Sequence, residues 1–244
     1  MTSALVPPFV VPTLPAGDAF TLRAWSLEDL PLIREASADP YIPWITTVPS
    51  VYSAAAGVEF VERQWRRAVG GESFSFVIAR DRGPRPVGAA SFRPLGEGRA
   101  SLGYWVAASA RGQGAALDAL RAMTTWGLRT LRLPRLELLV EPWNTASLRT
   151  AERAGFQREG LLPGGRWIAG EPRDVVVYAR LRGGGGAPPQ QCPRDHRQGR
   201  QAEGPGLCRD AAQSFRALDV EDHARGRDRE PFPAAVQTDQ RDHQ

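Results

Sequence analysis

The chain of 244 residues contains no lysine, so all 31 of its basic side chains are arginine. Histidine and cysteine are nearly as scarce, because His196, His223, His243, Cys192 and Cys208 all lie beyond residue 182. The first 182 residues therefore offer no thiol, imidazole or side-chain amine. That excludes from them a Ser-His-Asp triad, a Cys-His pair, a thiol ester, a Schiff base and any His or Cys metal site. Two cysteines in a polar stretch imply no disulfide framework. Long apolar runs are missing too, since none approaches the roughly 20 residues that span a bilayer. The start of the chain lacks a basic leading segment and carries Pro7, Pro8, Pro12 and Pro15, unlike a signal peptide. The expectation is a cytoplasmic protein without a membrane partner.

The charge is unevenly placed. Residues 1–182 hold 22 Arg against 17 Asp plus Glu, a net of +5, and residues 183–244 hold 9 against 10, a net of −1. Exclusive use of arginine points to coding bias more than to a surface selected for basicity, so direct nucleic-acid binding is not expected. Gly183 to Gly186, followed by Pro188 and Pro189, marks a sharp boundary. Beyond it the sequence is rich in Gln, Arg, Asp and Gly, with large apolar residues too sparse for a core. Residues 183–244 are thus expected to be a disordered tail, with a short helix near 211–218. Cys192, His196, Cys208 and His223 match no zinc-motif spacing, so no metal is expected. Residues 1–17 read as an extended Pro-rich segment and 18–182 as one folded domain.

Within 18–182 the periodicity alternates between two and 3.6. Strands are expected at 20–25, 73–80, 87–94, 99–107, 135–141, 156–161 and 174–181. Helices are expected from Ser26 to Ala36, from Ser53 to Val69, from Gly112 to Pro134, and from Asn144 to Gly155. Ser26 with Asp29 has capping-box spacing. Val58, Val61, Trp65 and Ala68 form an apolar stripe on the second helix. Residues 81–84, Asp-Arg-Gly-Pro, suit a turn between antiparallel strands. Residues 39–52, with three prolines and Tyr41, Trp44 and Tyr52, read as an irregular loop, either a substrate wall or an ordinary packed one. The order describes an α/β fold of the α+β kind, a mixed sheet with helices on its faces.

Chemistry concentrates between a strand and a helix, at Arg111, Gly112, Gln113, Gly114, Ala115 and Ala116. Small residues there let the backbone approach an anion, and the N–H groups of a helix start point at it with the positive end of the dipole. A phosphate or pyrophosphate site suits this loop, and so does a plain strand-to-helix turn. Neither a Gly-Lys-Ser/Thr motif nor a Rossmann spacing is present.

Here the chain resembles the GNAT acyl-CoA N-acyltransferases, whose pyrophosphate loop reads Gln/Arg-x-x-Gly-x-Gly/Ala. Arg111, Gly114 and Ala116 match it. Asn144 and Ser147, on a segment closing at Gly155-Phe156, resemble the Asn-x-x-Ser helix of the RimJ/RimL-like branch, as does Gly103-Tyr104-Trp105-Val106. The resemblance runs from about Phe20 to Leu181. It implies a mostly antiparallel sheet flanked by helices, with acetyl-CoA in a cleft where the strand ending at Val106 and the strand 135–141 splay apart. The pyrophosphate would sit on the N–H groups of Arg111 to Ala116. The backbone of Trp105 and Val106 would pair with the pantetheine arm and could offer an N–H to the oxyanion, and Asn144 would bond the arm. Asn144 is equally an N-cap.

Many members place a Tyr four residues before the Gly of Gly-Phe as general acid, and this chain has Ala151 there. The acid or thiol-orienting role then falls to Ser147, which could also simply bond its own helix backbone. Without Cys or Lys in the domain, the amine attacks the thioester directly in a ternary complex. Glu137 is the candidate base through water, with Glu137 and Glu141 alternatively exposed partners of arginines. The resemblance implies transfer of acetyl from acetyl-CoA to a primary amine, either a ribosomal-protein N-terminus, a peptide or a small molecule. The alternative, motivated by Ala151, is a catalytically silent acyl-CoA binding or sensing module. A homodimer is compatible with either.

Overall fold

Eight strands form one sheet in the order β1-β2-β3-β4-β5-β6-β8-β7 in a computed structural model that describes residues 10–81 and 85–183. The strands are β1 (Leu14–Ala16), β2 (Phe20–Arg23), β3 (Phe74–Arg80), β4 (Pro86–Gly96), β5 (Arg99–Val106), β6 (Arg135–Val140), β7 (Gln157–Ile168) and β8 (Glu171–Leu181). The helices are α1 (Leu30–Ser37), the short turn α2 (Ile42–Ile45), α3 (Ala54–Val69), α4 (Ala115–Thr125) and α5 (Thr145–Arg153). The disordered tail, its short helix and residues 82–84 of the expected turn lie outside the described residues. The sheet starts earlier than expected, because Leu14–Ala16 pairs with β2 as an edge strand. Pro15 is tolerated there because an edge needs no second row of N–H donors.

Neighbouring strands are antiparallel except β5 and β6, which are parallel and paired at three positions, Arg99 with Arg135, Ala100 with Leu136 and Ser101 with Glu137. Beyond Ser101 and Glu137 the two strands part, and a wedge opens toward their C-terminal ends. β6 keeps its other edge on β8 up to Val140, and β5 keeps its own on β4 up to Val106. The sheet is therefore continuous except along this seam.

Each sheet face buries its own apolar set. On one, Phe20, Leu22, Phe74, Phe76, Leu136 and Leu138 pack under Leu120 and Met123 of α4. On the other, Val77, Ala89 and Trp105 pack against Ile33 of α1 and Phe60 and Val61 of α3. The expected stripe on α3 is shifted, since Gly57, Phe60, Val61, Gln64 and Ala68 are its buried residues. Trp65 instead lies at the rim and donates its indole N–H to the Trp25 carbonyl at 2.8 Å. Asp29 completes a capping box on the single 3-10 turn Leu27–Asp29 that leads into α1, accepting the Ser26 N–H at 2.9 Å and pairing with Arg23 through both carboxylate oxygens.

α4 ends in a π-type turn over Trp126–Thr130. This wider turn brings the Trp126 ring edge-on to Phe74, Phe76 and Phe92, with centroids 5.7, 5.7 and 4.8 Å apart. The β7–β8 hairpin is longer than expected. Pro163, Gly164 and Gly165 do not break β7, because they sit in an irregularity of register on the edge strand of the sheet.

Candidate active site

The loop at the head of the wedge has the backbone that the sequence suggests. Gly112 and Gly114 take φ of 77° and 86°, where an L side chain would be strained, and Gly114 is the N-cap of α4. The first bond of the α4 ladder runs from the Asp118 N–H to the Gly114 carbonyl at 3.1 Å. The N–H groups of Ala115, Ala116 and Leu117 therefore precede the ladder and are available to an anion. An added Cβ at Gly112 would meet nothing within 4 Å, so the loop is open on its outer side. This backbone, together with a seam between two strands, fits a diphosphate on an extended amide-bearing arm.

Arg111, expected to contribute its backbone N–H, also makes side-chain contacts outside the loop. Its side chain turns back, with Nε on the Val106 carbonyl at 3.2 Å and Nη2 on Asp39. The guanidinium thus faces away from the loop's own N–H fork. Trp105 needs correction. The Ala107 N–H bonds the Val87 carbonyl, and the ladder alternates, so the N–H and C=O of Trp105 are likewise turned to β4. It is the polar groups of Val106 and Tyr104 that face the wedge. Trp105 meets the site as an indole packed beside Val77, Ala89 and Ala107 on the α1/α3 face.

On the α4/α5 face of the wedge, Asn144 caps α5 by accepting the Ser147 N–H at 3.1 Å. The Ser147 hydroxyl lies 2.7 Å from the phenol oxygen of Tyr104. Burial pushes the Tyr104 pKa up, against the opposing pull of the Ser147 and Thr150 hydroxyls. Tyr104 is therefore a protonated phenol in direct contact with Ser147. No local sequence signal marks this contact, although the alternation of β5 puts Tyr104 on the face that α5 covers. Ala151 is fully buried, packed where the family would carry its tyrosine.

Glu137 and Glu141, equivalent in the sequence, are separated by the fold. Glu137 sits at the vertex of the wedge and is 1% exposed. Its Oε1 accepts Arg135 Nε at 2.6 Å and lies 3.7 Å from Arg99 Nη1. Oε2 has no hydrogen-bond partner among the described residues. Four residues of extended chain separate it from Glu141, about 13 Å at 3.3 Å per residue. Glu137 is thus about a full wedge length from the end of β5 and is held as an ion pair, which removes the reason to name it as the base.

Glu141, just past the end of β6, occupies the open end and accepts a hydrogen bond from the Tyr41 hydroxyl. Burial raises the Tyr41 pKa and Glu141 adds to it, with Arg166 and Asn144 acting in the opposite sense. Trp143, 61% exposed, stands edge-on to the Tyr41 ring with centroids 4.9 Å apart. Arg166 of β7 holds the end of the α2 turn through the Ile45 carbonyl at 2.9 Å. The stretch 39–52 thus packs against the open end of the wedge through Tyr41.

Comparison with known proteins agrees with this geometry. The family model of the acetyltransferase (GNAT) domain matches residues 19–157. The chain belongs to the GNAT acetyltransferase family. It is 26% identical over 167 residues to the N-acetyltransferase p20 of Bacillus licheniformis, covering 68% of this chain and 94% of that one. RimJ of Mycobacterium smegmatis, solved in complex with CoA-disulfide, is 28% identical with a TM-score of 0.61, over 72% of this chain and 90% of its own. RimL, a ribosomal L7/L12 α-N-protein acetyltransferase solved with Coenzyme A, shares the fold at 24% identity and a TM-score of 0.61, over 70% of this chain and 98% of its own. As a GNAT domain the chain is an acyltransferase, and acetyl-CoA is its acyl donor.

Proposed function

We propose that this GNAT protein transfers acetyl from acetyl-CoA directly to the α-amine of a protein or peptide N-terminus, with Ser147 and Glu141 on opposite faces of the wedge. The carrying observation is the pair of polar contacts at its open end, Tyr104 to Ser147 on the α5 side and Tyr41 to Glu141 on the α1/α2 side. Bound acetyl-CoA supplies the activated acyl group as a thioester. The N–H groups of residues 112–117, at and around the Gly114 N-cap, hold its diphosphate, and the splay-facing backbone of Tyr104 and Val106 holds its amide arm. Asn144 orients Ser147 by capping α5.

Proton movements follow from the two pairs. Glu141, directly or through one water, takes the proton the amine loses on forming the new C–N bond. Ser147 gives its proton to the sulfur as the C–S bond breaks and takes one back from water, while the Tyr104 phenol, which keeps its own proton, holds the Ser147 hydroxyl in place. No side chain becomes acylated, consistent with a domain that has no Cys, Lys or His. An N-terminal amine, with a pKa near 8, is partly neutral at pH 7, whereas a lysine amine near 10.4 needs stronger deprotonation. The α-N-acetylation of ribosomal L7/L12 named for RimL supports the same class of acceptor.

The test is a panel of N-terminal peptides and small amines incubated with acetyl-CoA and read by mass for one added acetyl group. Acetyl-CoA at about 100 times its dissociation constant should also add roughly 2.7 kcal/mol to stability. Binding without acetylation anywhere in the panel would favour the silent module that Ala151 suggests. A folded protein whose unfolding temperature is indifferent to acetyl-CoA would remove the donor site.

A further inference from the structure

The carboxylate of Asp39 serves donors from opposite sides of the wedge. Oδ1 accepts the backbone N–H groups of Tyr41 at 2.9 Å and Ile42 at 3.0 Å, which open the α2 turn. Oδ2 accepts the guanidinium of Arg111, the first residue of the phosphate loop, whose Nε is fixed on Val106. The Asp39 side chain is only 4% exposed. Burial alone would raise its pKa, yet the N–H groups of Ile42 and Tyr41 and the Arg111 guanidinium outweigh burial and hold it below the usual carboxylate range. One turn earlier a second carboxylate makes a parallel tie, with Glu35 Oε1 accepting the Ser109 N–H at 3.0 Å.

Capping a four-residue turn needs only one acceptor oxygen, and Asn or Ser would supply it as well as Asp. A second, anionic oxygen in a buried position is costly unless it is paired. Its partner here is Arg111, 72 residues away in sequence. Continuing from Tyr41, the chain of contacts reaches Glu141 through the phenol. Donor loop, Asp39, acceptor turn and Glu141 thus form one connected path along the head of the wedge.

We propose that Asp39 is a positioning residue that transmits occupation of the phosphate loop to the α2 turn, aligning the Tyr41–Glu141 pair with the bound donor. The proposal rests on the donor-site reading above. An anion seated on the N–H groups of residues 112–117 fixes the loop. The loop's first side chain then fixes Asp39, and Asp39 fixes the N–H groups that orient Tyr41. A single carboxylate cannot follow two segments that move independently, so ordering one orders the other.

The experiment is amide hydrogen exchange on the full chain with and without saturating acetyl-CoA, in the wild type and in Asp39→Asn. Asn keeps Oδ1 for the cap but puts an amide where Arg111 needs an acceptor. In the wild type, acetyl-CoA should slow exchange severalfold in both 111–117 and 39–46. In Asp39→Asn the slowing should persist in 111–117 and vanish in 39–46. In turnover with any peptide the wild type acetylates, the same variant should lower kcat and leave the KM for acetyl-CoA in place. Equal protection of 39–46 in both proteins would overturn the proposal, as would wild-type protection confined to 111–117. Absence of protection at 111–117 in the wild type would instead count against the donor site itself. If Asp39→Asn does not fold, Arg111→Gln cuts the same contact and leaves the α2 cap intact, with the same loss at 39–46 expected.

Discussion

Two glutamates on one strand face stand at the two ends of the wedge, Glu137 at its vertex and Glu141 at its open end. Glu141→Gln should lower kcat about 100-fold or more, the usual range for a general base, and leave urea stability nearly unchanged. Glu137→Gln should do the reverse. Breaking a buried pair can cost 3–5 kcal/mol, but Arg135 also grips Glu159 and Arg99 also reaches Glu97. A loss of about 2 kcal/mol in a urea titration, with kcat retained, is therefore expected. Ser147 and Tyr104 act as a unit, so Ser147→Ala should lower kcat about 100-fold, Tyr104→Phe by less, and the double variant no further than Ser147→Ala alone. Additive losses in a steady-state cycle would show the two residues to be independent. These roles were only partly legible in the sequence. Ser147 was reached only through the resemblance to the family's Asn-x-x-Ser helix, and Glu137 and Glu141 share strand parity, which says nothing about which end of a strand a wedge opens toward. Asp39 with Arg111 and Tyr41 with Glu141 are 72 and 100 residues apart, and no local pattern joins them.

Among the elements, α4 carries the loop proposed for the donor's diphosphate. Gly114 sits at φ 86° as the α4 N-cap, so Gly114→Ala should destabilise by about 1–2 kcal/mol in thermal unfolding. It should also weaken acetyl-CoA in calorimetry, and Gly114→Glu should weaken it more by placing a carboxylate where the diphosphate binds. Most elements were readable from the sequence, since α1, α3 and α4 each bury one face, and β3 to β6 carry apolar runs covered on both faces. The β7–β8 hairpin was not, because Pro163, Gly164, Gly165 and Pro172 look like breakers until their place at the sheet edge is known. The α3 stripe was misread by about one residue, because counting apolar side chains ignores that the Trp65 N–H needs a carbonyl, found at the rim. Gly57, by contrast, is buried because an added Cβ would lie 2.8 Å from Leu30.

For the whole molecule, three tyrosines, Tyr178 buried and Tyr41 and Tyr104 half-buried, set the alkaline limit. Burial raises Tyr41 and Tyr104, and burial with Glu152 pushes Tyr178 up to about 12. Each keeps its proton in the folded state at a pH where the unfolded chain has lost it. Their contribution is therefore fully present below the unfolded value near 10 and is lost as pH rises from there through the folded values. Urea titrations should show no tyrosine-linked fall in stability below about pH 10, then a decline approaching about 1.4 kcal/mol per pH unit for each tyrosine involved. Tyr178→Phe should shallow that slope.

The π-type turn at Trp126–Thr130 carries one more residue per turn than the helix it ends. Removing one residue, for example Arg129, would let the segment close as an ordinary α-helix. Trp126 precedes the deletion, so α4 keeps its register with the Trp126 cluster, and it is the chain leading into β6 that would swing about 100° in azimuth and shift about 1.5 Å relative to them. β6 is the far bank of the seam, so it would no longer meet β5 at the same place beneath the phosphate loop. The inserted residue thus works as a phase setting between the helix that carries the phosphate loop and the strand it faces. A deletion variant that folds, yet has lost its thermal response to acetyl-CoA, is the expected result.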